Sequence, residues 1–243
     1  MRILAFETSA KAASVALLEE GRLLAEAYQN TGLTHSRTLL QMVQNLLQGC
    51  DLSSEDIDAV AVASGPGSFT GVRIGVAAAK GFAWGRALPC YGVSTLEALA
   101  LSYGASGGLV CPVMDARRNQ VYNALFQAEG DRVLRLREDR AISLETLAQD
   151  LQAFKEPVLL VGDGAALCYD VLEGLNGRLI LTPEHRRFQR AGGVALAARQ
   201  AIQTGVSGDP DQLIPQYLRL SQAERERLER QAKEDRKEDA ANG

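Results

Sequence analysis

Residues 64–81 of the chain read Ser-Gly-Pro-Gly-Ser-Phe-Thr-Gly-Val-Arg-Ile-Gly-Val-Ala-Ala-Ala-Lys-Gly. The stretch follows an apolar run and opens with two glycines in a turn, Gly65 and Gly67. Glycine has no Cβ, so it adopts turn conformations that cost other residues a steric clash, and it lets the backbone approach a ligand or another chain closely. The stretch therefore predicts a strand, a sharp glycine turn and a helix in direct succession.

The predicted helix carries small side chains at helical spacing. Two rows recur at every fourth position, Gly71 with Gly75 and Ala79, and Ala77 with Gly81 and Gly85. Each glycine inside a helix costs about 1 kcal/mol relative to alanine, so we expect a compensating gain from another backbone that packs close. One hypothesis assigns that backbone to a partner chain, so that Gly75→Leu abolishes pairing and leaves the protomer folded. In the alternative, the helix is internal and Gly75→Leu unfolds the protomer.

Composition and charge limit the possible functions. The chain has 243 residues, 46% hydrophobic and 23% charged, which is typical of a globular protein. Its formal net charge of -4 argues against a chain that binds nucleic acid by itself, since that mode needs a basic surface. We therefore expect any contact with RNA to need a partner.

The cysteines and the N-terminal residues indicate the compartment. The four cysteines lack C-x-x-C spacing, which favours reduced thiols. Glu7 interrupts the N-terminal apolar run before a signal-peptide core could form, and no apolar run is long enough to span a bilayer. A cytoplasmic location without membrane contact is expected.

The predicted elements alternate in an order that occurs twice. The first half reads βββαβαβα, and the second half repeats this order in a shorter form. Two strands end in an acidic residue, Glu7 and Asp115, and each half has a glycine pair after a later strand. The predicted strands are 2–6, 13–18, 23–29, 58–64, 88–92, 109–114, 120–127, 132–136 and 158–161, and the helices are 34–47, 70–85, 95–101 and 144–154.

This repeat predicts an α/β protein of two halves that face each other across a cleft. The halves are residues 1–104 and the smaller 105–220, followed by a charged tail, 221–243, that is partly helical or disordered. Acidic strand ends and glycine turns with free N–H groups are typical of a nucleotide cleft. The same residues also serve as ordinary turns. The candidate residues of a vestigial nucleotide site are Glu7, Thr8, Ser9, Gly65, Gly67, Asp115, Gly162 and Gly164.

Several kinds of chemistry have no support in the sequence. His35 and His185 are the only histidines, and one helical turn after His35 stands Leu39, so a histidine-rich metal site cannot be assembled. No Gly-Lys-Ser or Gly-Lys-Thr closes the glycine turn, and Lys80 lies in the helix beyond it. Lys80 is expected on the helix surface or facing a partner. No catalytic residue and no metal ligand is assigned to this chain.

Four segments together resemble the bacterial TsaB (YeaZ) family over about residues 1–220. They are Phe6-Glu7-Thr8-Ser9, Gly65 to Gly75 with Ala79-Lys80-Gly81, Met114-Asp115-Ala116-Arg117-Arg118, and Tyr217-Leu218-Arg219. The resemblance implies an actin-like ATPase (ASKHA) fold of two ribonuclease-H-like halves, each a mixed sheet flanked by helices. It also implies a role in threonylcarbamoylation of the adenosine beside the anticodon of tRNA.

The resemblance further implies a division of labour. TsaB would be the non-catalytic partner of its paralogue TsaD, whose metal is held by two histidines at helical spacing, and the ATPase TsaE joins them. The missing second histidine after His35 agrees with this. No cofactor is expected in this chain, whereas ATP and a metal ion are expected in the partner subunits. Glu7 stands where many relatives have aspartate, which makes a phosphate role for it doubtful.

Two helices, about 34–47 and 70–85, match the family's pairing surface. We expect them to pack against the equivalent pair of TsaD, or against a second copy of this chain when it is alone. The candidate interface residues are His35, Leu39, Leu40, Val43, Gly71, Arg73, Ile74, Gly75, Ala78, Ala79 and Lys80.

An enzyme remains the alternative. In that hypothesis the chain is a small ASKHA-fold phosphotransferase that acts alone, with Asp115 as the base and Glu7 holding a magnesium ion through water. A purely structural homodimer is a third hypothesis.

Overall fold

The computed structural model describes residues 1–104, 107–129, 132–172 and 177–219. The predicted tail, 221–243, lies outside the described residues. Two five-stranded mixed sheets form the frame. The first has the order β3-β2-β1-β4-β5, in which β1 pairs antiparallel with β2 and parallel with β4. Its strands are β1 (Arg2–Glu7), β2 (Ala13–Glu19), β3 (Arg22–Gln29), β4 (Ala59–Gly65) and β5 (Cys90–Ser94).

The second sheet repeats this topology, with the order β10-β9-β6-β7-β8. Its central strand β6 again pairs antiparallel with the next strand and parallel with a later one. The same order and polarity occur in both sheets, as the repeated element order predicts. The strands are β6 (Gly108–Asp115), β7 (Gln120–Glu129), β8 (Arg132–Ser143), β9 (Val158–Val161) and β10 (Leu179–Leu181).

Seven α-helices occur in the described residues, and they form three layers around the two sheets. α1 and α2 cover the outer face of the first sheet, and α4 and α5 cover that of the second. α3 and α7 lie between the sheets. The helices are α1 (His35–Gly49), α2 (Phe69–Trp84), α3 (Thr95–Leu101), α4 (Leu144–Gln152), α5 (Ala165–Val171), α6 (Glu184–Arg187) and α7 (Ala191–Gln203).

The central helices cross between the two halves. α7 comes from within residues 105–220, yet its buried face packs on the first sheet through Val194 and Ala198. α3 follows the first sheet, yet Leu96 and Leu99 pack on the second. We call the first sheet with α1, α2 and α7 the first lobe, and the second sheet with α4 and α5 the second lobe. The crossed helices join the lobes at a shared core.

Two local predictions need correction. The predicted strand 132–136 continues as β8 to Ser143, because its charged second half pairs with β7 on an edge where side chains reach water. Thr34 precedes α1 at the expected N-cap position, but its side chain makes no capping hydrogen bond.

The inner row of small residues on α2 packs against the end of β1. Gly71, Gly75 and Ala79 are buried. A Cβ at Gly71 would collide with the carbonyl oxygen of Thr8, and one at Gly75 would collide with Thr8 Oγ1. The hypothesis that these glycines admit a partner chain is therefore wrong, because the chain's own Thr8 occupies the space. The outer row differs, since Ala77, Gly81 and Gly85 are exposed.

We expect Gly75→Ala to destabilise the protomer, because the new methyl group meets Thr8 Oγ1, which already donates a hydrogen bond to the carbonyl of Gly71 at 2.8 Å. Overpacking of this kind costs about 1–3 kcal/mol. The matched control is Gly81→Ala, where no atom beyond the backbone of the same helix lies within 4 Å of the added Cβ and helix propensity favours alanine by up to about 1 kcal/mol. Urea denaturation measures both. Equal stability of the two variants would contradict the packing described for α2.

Candidate functional site

A cleft of about 540 Å³ lies between the lobes. It is bordered by the turn after β1, the first turn of α2, and the turns after β6 and β9. The ends of equivalent strands in the two sheets thus meet at one place, as expected for duplicated open sheets. The lining residues are Ser9, Ala10, Lys11, Gly67, Ser68, Phe69 and Thr70 from the first lobe, Met114, Asp115, Ala116, Arg117, Tyr122 and Asp163 from the second, and Arg219.

Three of the predicted nucleotide residues line this cleft: Ser9, Gly67 and Asp115. Asp115 is exposed, and its Oδ1 accepts a hydrogen bond from Arg117 N at 2.6 Å. The other five, Glu7, Thr8, Gly65, Gly162 and Gly164, are buried in the first and second lobes and do not line the cleft. Thr8 uses its hydroxyl for packing against α2, so it offers no free hydroxyl to a ligand.

The paired glycines make room for the chain's own backbone. A Cβ at Gly65 would collide with Gln216 O, one at Gly162 would collide with Val113 O, and one at Gly67 would lie 2.5 Å from Ser9 O. The prediction that these turns offer free backbone N–H groups to a phosphate is wrong for three of those groups, because each already donates a hydrogen bond within the chain. Ser68 N donates to Ser9 O at 2.7 Å, Gly162 N to Arg187 O at 2.6 Å, and Gly164 N to Val113 O at 3.1 Å.

A buried carboxyl group, Glu7, and a half-buried one, Asp163, come from opposite lobes and interact electrostatically, and only Asp163 lines the cleft. Only 1% of Glu7 is exposed, and burial raises its pKa to about 7, to which the charge of Asp163 contributes. Glu7 Oε1 accepts from Ser9 N at 2.6 Å, whereas Oε2 is buried with no hydrogen-bond partner among the described residues. Burial also raises the pKa of Asp163, although Gln189 Nε2 donates to its Oδ1 at 2.8 Å.

Sequence reasoning missed four charged residues of the cleft. Lys11, Arg117, Asp163 and Arg219 line it, and none was among the predicted site residues. A signal was present for three of them. Asp163 stands between the two glycines of the second turn, Arg117 lies in the segment from Met114 to Arg118, and Arg219 closes the Tyr217-Leu218-Arg219 segment.

The candidate interface residues divide into a buried and an accessible set. Leu39, Val43, Gly71, Gly75 and Ala79 are buried within the protomer. Leu40 and Arg73 are exposed, and His35, Ile74, Ala78 and Lys80 are partly exposed. His35 Nε2 bonds to Ala10 O at 2.8 Å, which ties the start of α1 to the turn after β1. An accessible surface on α1 and α2 remains, but it is narrower than predicted.

The described residues hold neither a metal cluster of acidic, histidine or cysteine side chains nor a membrane-spanning helix. Within the ranges that the structure describes, no group of three or more His, Cys, Asp or Glu side chains could hold a metal ion. In the same part of the chain, every helix is too short or too polar to cross a membrane.

Comparison with known proteins decides the family. The family model described as TsaD, tRNA N6-adenosine threonylcarbamoyltransferase, matches residues 29–227. The tRNA threonylcarbamoyladenosine biosynthesis protein TsaB of Bacillus subtilis is 35% identical over 95% of this chain and 100% of its own length. The chain belongs to the TsaB family of tRNA threonylcarbamoyladenosine biosynthesis proteins. YeaZ from Pseudomonas aeruginosa has a TM-score of 0.77 and 30% identity, with coverage of 89% of this chain and 99% of that structure.

The fold of this TsaB-family chain extends beyond the family. Component A of (R)-2-hydroxyglutaryl-CoA dehydratase from Acidaminococcus fermentans matches 83% of the chain and 99% of its own length, with a TM-score of 0.50. Its 12% identity makes this a likeness of fold alone. Two mixed sheets of identical topology with crossed helices are an actin-like (ASKHA) arrangement, which confirms the predicted fold class.

The buried Glu7 of this TsaB-family chain predicts a pH dependence of stability. Its folded-state pKa of about 7 exceeds the ordinary value of 4.5, so the folded state holds a proton that the unfolded chain releases. Stability therefore falls as pH rises through this interval. We expect the free energy of unfolding to drop between about pH 5 and pH 8 by about 2–3 kcal/mol more in the wild type than in Glu7→Gln.

Urea denaturation at the two pH values measures this difference, and Glu156→Gln, which alters an exposed carboxylate, is the control. If Glu7→Gln and the wild type had parallel pH profiles, a charged Glu7 would be stable in the folded state and the electrostatic description would be wrong.

Proposed function

We propose that this chain is a non-catalytic, activating subunit for threonylcarbamoylation of tRNA. In this proposal it pairs with the catalytic paralogue TsaD, works with the ATPase TsaE in the cytoplasm, and reaches tRNA through the complex. The observation that carries the proposal is the match to a TsaB protein over that protein's entire length. The matching TsaD family model supports a common origin with the proposed partner.

The accessible face of α1 and α2 supports pairing through these helices. Leu40 on α1 is 58% exposed and Trp84 on α2 is 59% exposed, so both large apolar side chains are accessible to a partner. The outer row on α2 has only small residues, and beyond the backbone of its own helix no atom lies within 4 Å of a Cβ added at Gly81. Small residues let the backbone of another helix approach closely. The buried residues of the candidate interface would support this face from beneath.

The histidine arrangement supports a non-catalytic role. His35 is followed one turn later by the buried Leu39, so α1 does not offer two ring nitrogens on one face. In this proposal ATP and a metal ion act in the partner subunits and this chain has no cofactor of its own. When it is alone, the same face would pair with a second copy of the chain.

We expect Leu40→Asp to weaken binding to TsaD at least about tenfold, because a carboxylate would be buried opposite the partner's apolar surface. The matched control is Leu134→Asp, which alters a leucine of nearly equal exposure, 57%, on the second lobe. Isothermal titration with the purified paralogue measures the affinity, and circular dichroism checks the fold. Equal affinity of the two variants would place the interface elsewhere.

A second candidate function is that of a phosphotransferase that acts alone, and it is favoured by the exposed carboxylate of Asp115 in the cleft. Reconstitution distinguishes the two. Activity on tRNA that needs this chain, TsaD and TsaE together favours the activating subunit. ATP turnover by the purified chain alone, lost in Asp115→Asn, would overturn it.

A further inference from the structure

The chain after α7 crosses the edge of the first sheet and runs to the mouth of the cleft. We call residues 208–219 the strap. Its backbone joins the first lobe along its length, since Cys90 N donates to Gly208 O at 2.7 Å and Gln216 N donates to Ser64 O at 2.7 Å. Lys80 Nζ, from α2, donates to Leu213 O at 3.2 Å. The strap is therefore attached to β4, β5 and α2.

Tyr217 attaches the strap to the first turns of α2. Its ring stacks on that of Phe69, with the centroids 3.9 Å apart and the planes within 5°. Arg73 Nε donates to Tyr217 Oη at 2.8 Å. The Arg73 guanidinium also lies 5.0 Å from the Phe69 centroid and 5.5 Å from that of Tyr217. One exposed cation of α2 thus holds both aromatic rings.

Arg219 attaches the strap to the second lobe. Its Nη1 donates to the carbonyl oxygens of Ala116 and Arg117, in the turn between β6 and β7. This turn has three successive non-glycine residues with left-handed backbone, since Arg117, Arg118 and Asn119 have φ values of 64°, 56° and 57°. Left-handed backbone is unfavourable for such residues, so a bond from outside the turn helps to hold it.

The two attachments lie on opposite sides of the cleft. Phe69 and Arg219 both line it, and just before Tyr217 the strap passes over Gly65, where a Cβ would collide with Gln216 O. We propose that the strap is a latch on the cleft: Tyr217 anchors it to α2, and the cleft opens when Arg219 releases the second lobe.

The latch also connects the cleft with the outer face of α2. Arg73 is exposed there and belongs to the candidate interface. A partner that engages the Arg73 guanidinium would withdraw it from Tyr217 and loosen the strap. This connection, unlike the latch itself, rests on the proposed function.

Amide hydrogen exchange of the full chain tests the latch. Ala116 N bonds to Gln120 O, Gln120 N bonds to Arg117 O, and Gln216 N bonds to Ser64 O, so these amides report on the turn and the strap. In Arg219→Ala we expect the two turn amides, Ala116 and Gln120, to exchange at least about tenfold faster, since hydrogen bonds from charged groups are worth that much. Gln216 N lies on the side of the strap that Tyr217 still anchors, so its exchange rate is expected to stay unchanged. Ile214→Ala, which alters an exposed strap residue, is the control.

Spin labels measure the opening directly. In a Cys50→Ser background, labels at positions 44 and 134 place one probe on each lobe, at exposed sites. We expect Arg219→Ala to give a longer and broader distance distribution and Arg219→Lys to restore part of the original one. Unchanged distances with exchange within about twofold of wild type in a folded Arg219→Ala protein would overturn the latch.

Arg73→Ala tests the connection to α2. Faster exchange at Ala116 and Gln120, far from the altered side chain, is expected. If only amides of α2 and residues 213–217 change, the connection is wrong and the latch stands. None of these measurements uses TsaD or tRNA, so a failure here is distinct from a failure of the proposed function.

Discussion

The contact between α2 and the end of β1 is the constraint on which the rest of the structure depends. Thr8 places its carbonyl oxygen over Gly71 and its hydroxyl against Gly75, and Ser9 O accepts from Ser68 N. Because only glycine leaves this space, the helix begins close against the strand. That position brings the first turn of α2 to the cleft and sets the surface on which the strap packs.

The sequence predicted the secondary-structure elements better than it predicted what each element packs against. Hydrophobic periodicity and turn residues predicted the order of strands and helices as far as β9, whereas α5, β10, α6 and α7 were not predicted. Of the two acidic strand ends, Asp115 lines the cleft and Glu7 is buried without lining it. The spacing of Gly71, Gly75 and Ala79 correctly predicted a close backbone contact. Spacing shows which residues share a face, but not whether that face is turned inward, so the contact was assigned to another chain. The inward packing became visible only once Thr8 was located in space.

The features that were missed depend on contacts between distant segments. Asp163 raises the pKa of Glu7 only because the lobes meet, and these residues lie in different halves of the sequence. Arg219 reaches Ala116 across the cleft. The sequence also could not predict which sheet α3 and α7 pack on, because their apolar composition would suit a helix buried anywhere in the protein. A Cβ at Gly193 of α7 would collide with Ala98 O of α3, which shows how closely the two helices pack.

The strap and the carboxyl groups of Glu7 and Asp163 act on the lobes in opposite directions. Burial disfavours the charged form of Glu7, and the charge of Asp163, from the opposite lobe, disfavours it further. Near neutral pH the repulsion between the two carboxylates favours separation of the lobes. The shared core of α3 and α7 opposes it on the inner side, and Arg219 opposes it at the mouth of the cleft. Protonation of Glu7 would remove its repulsion with Asp163, and the hydrogen bonds of Arg219 would then have less to oppose. The closed arrangement therefore depends least on the strap at acidic pH.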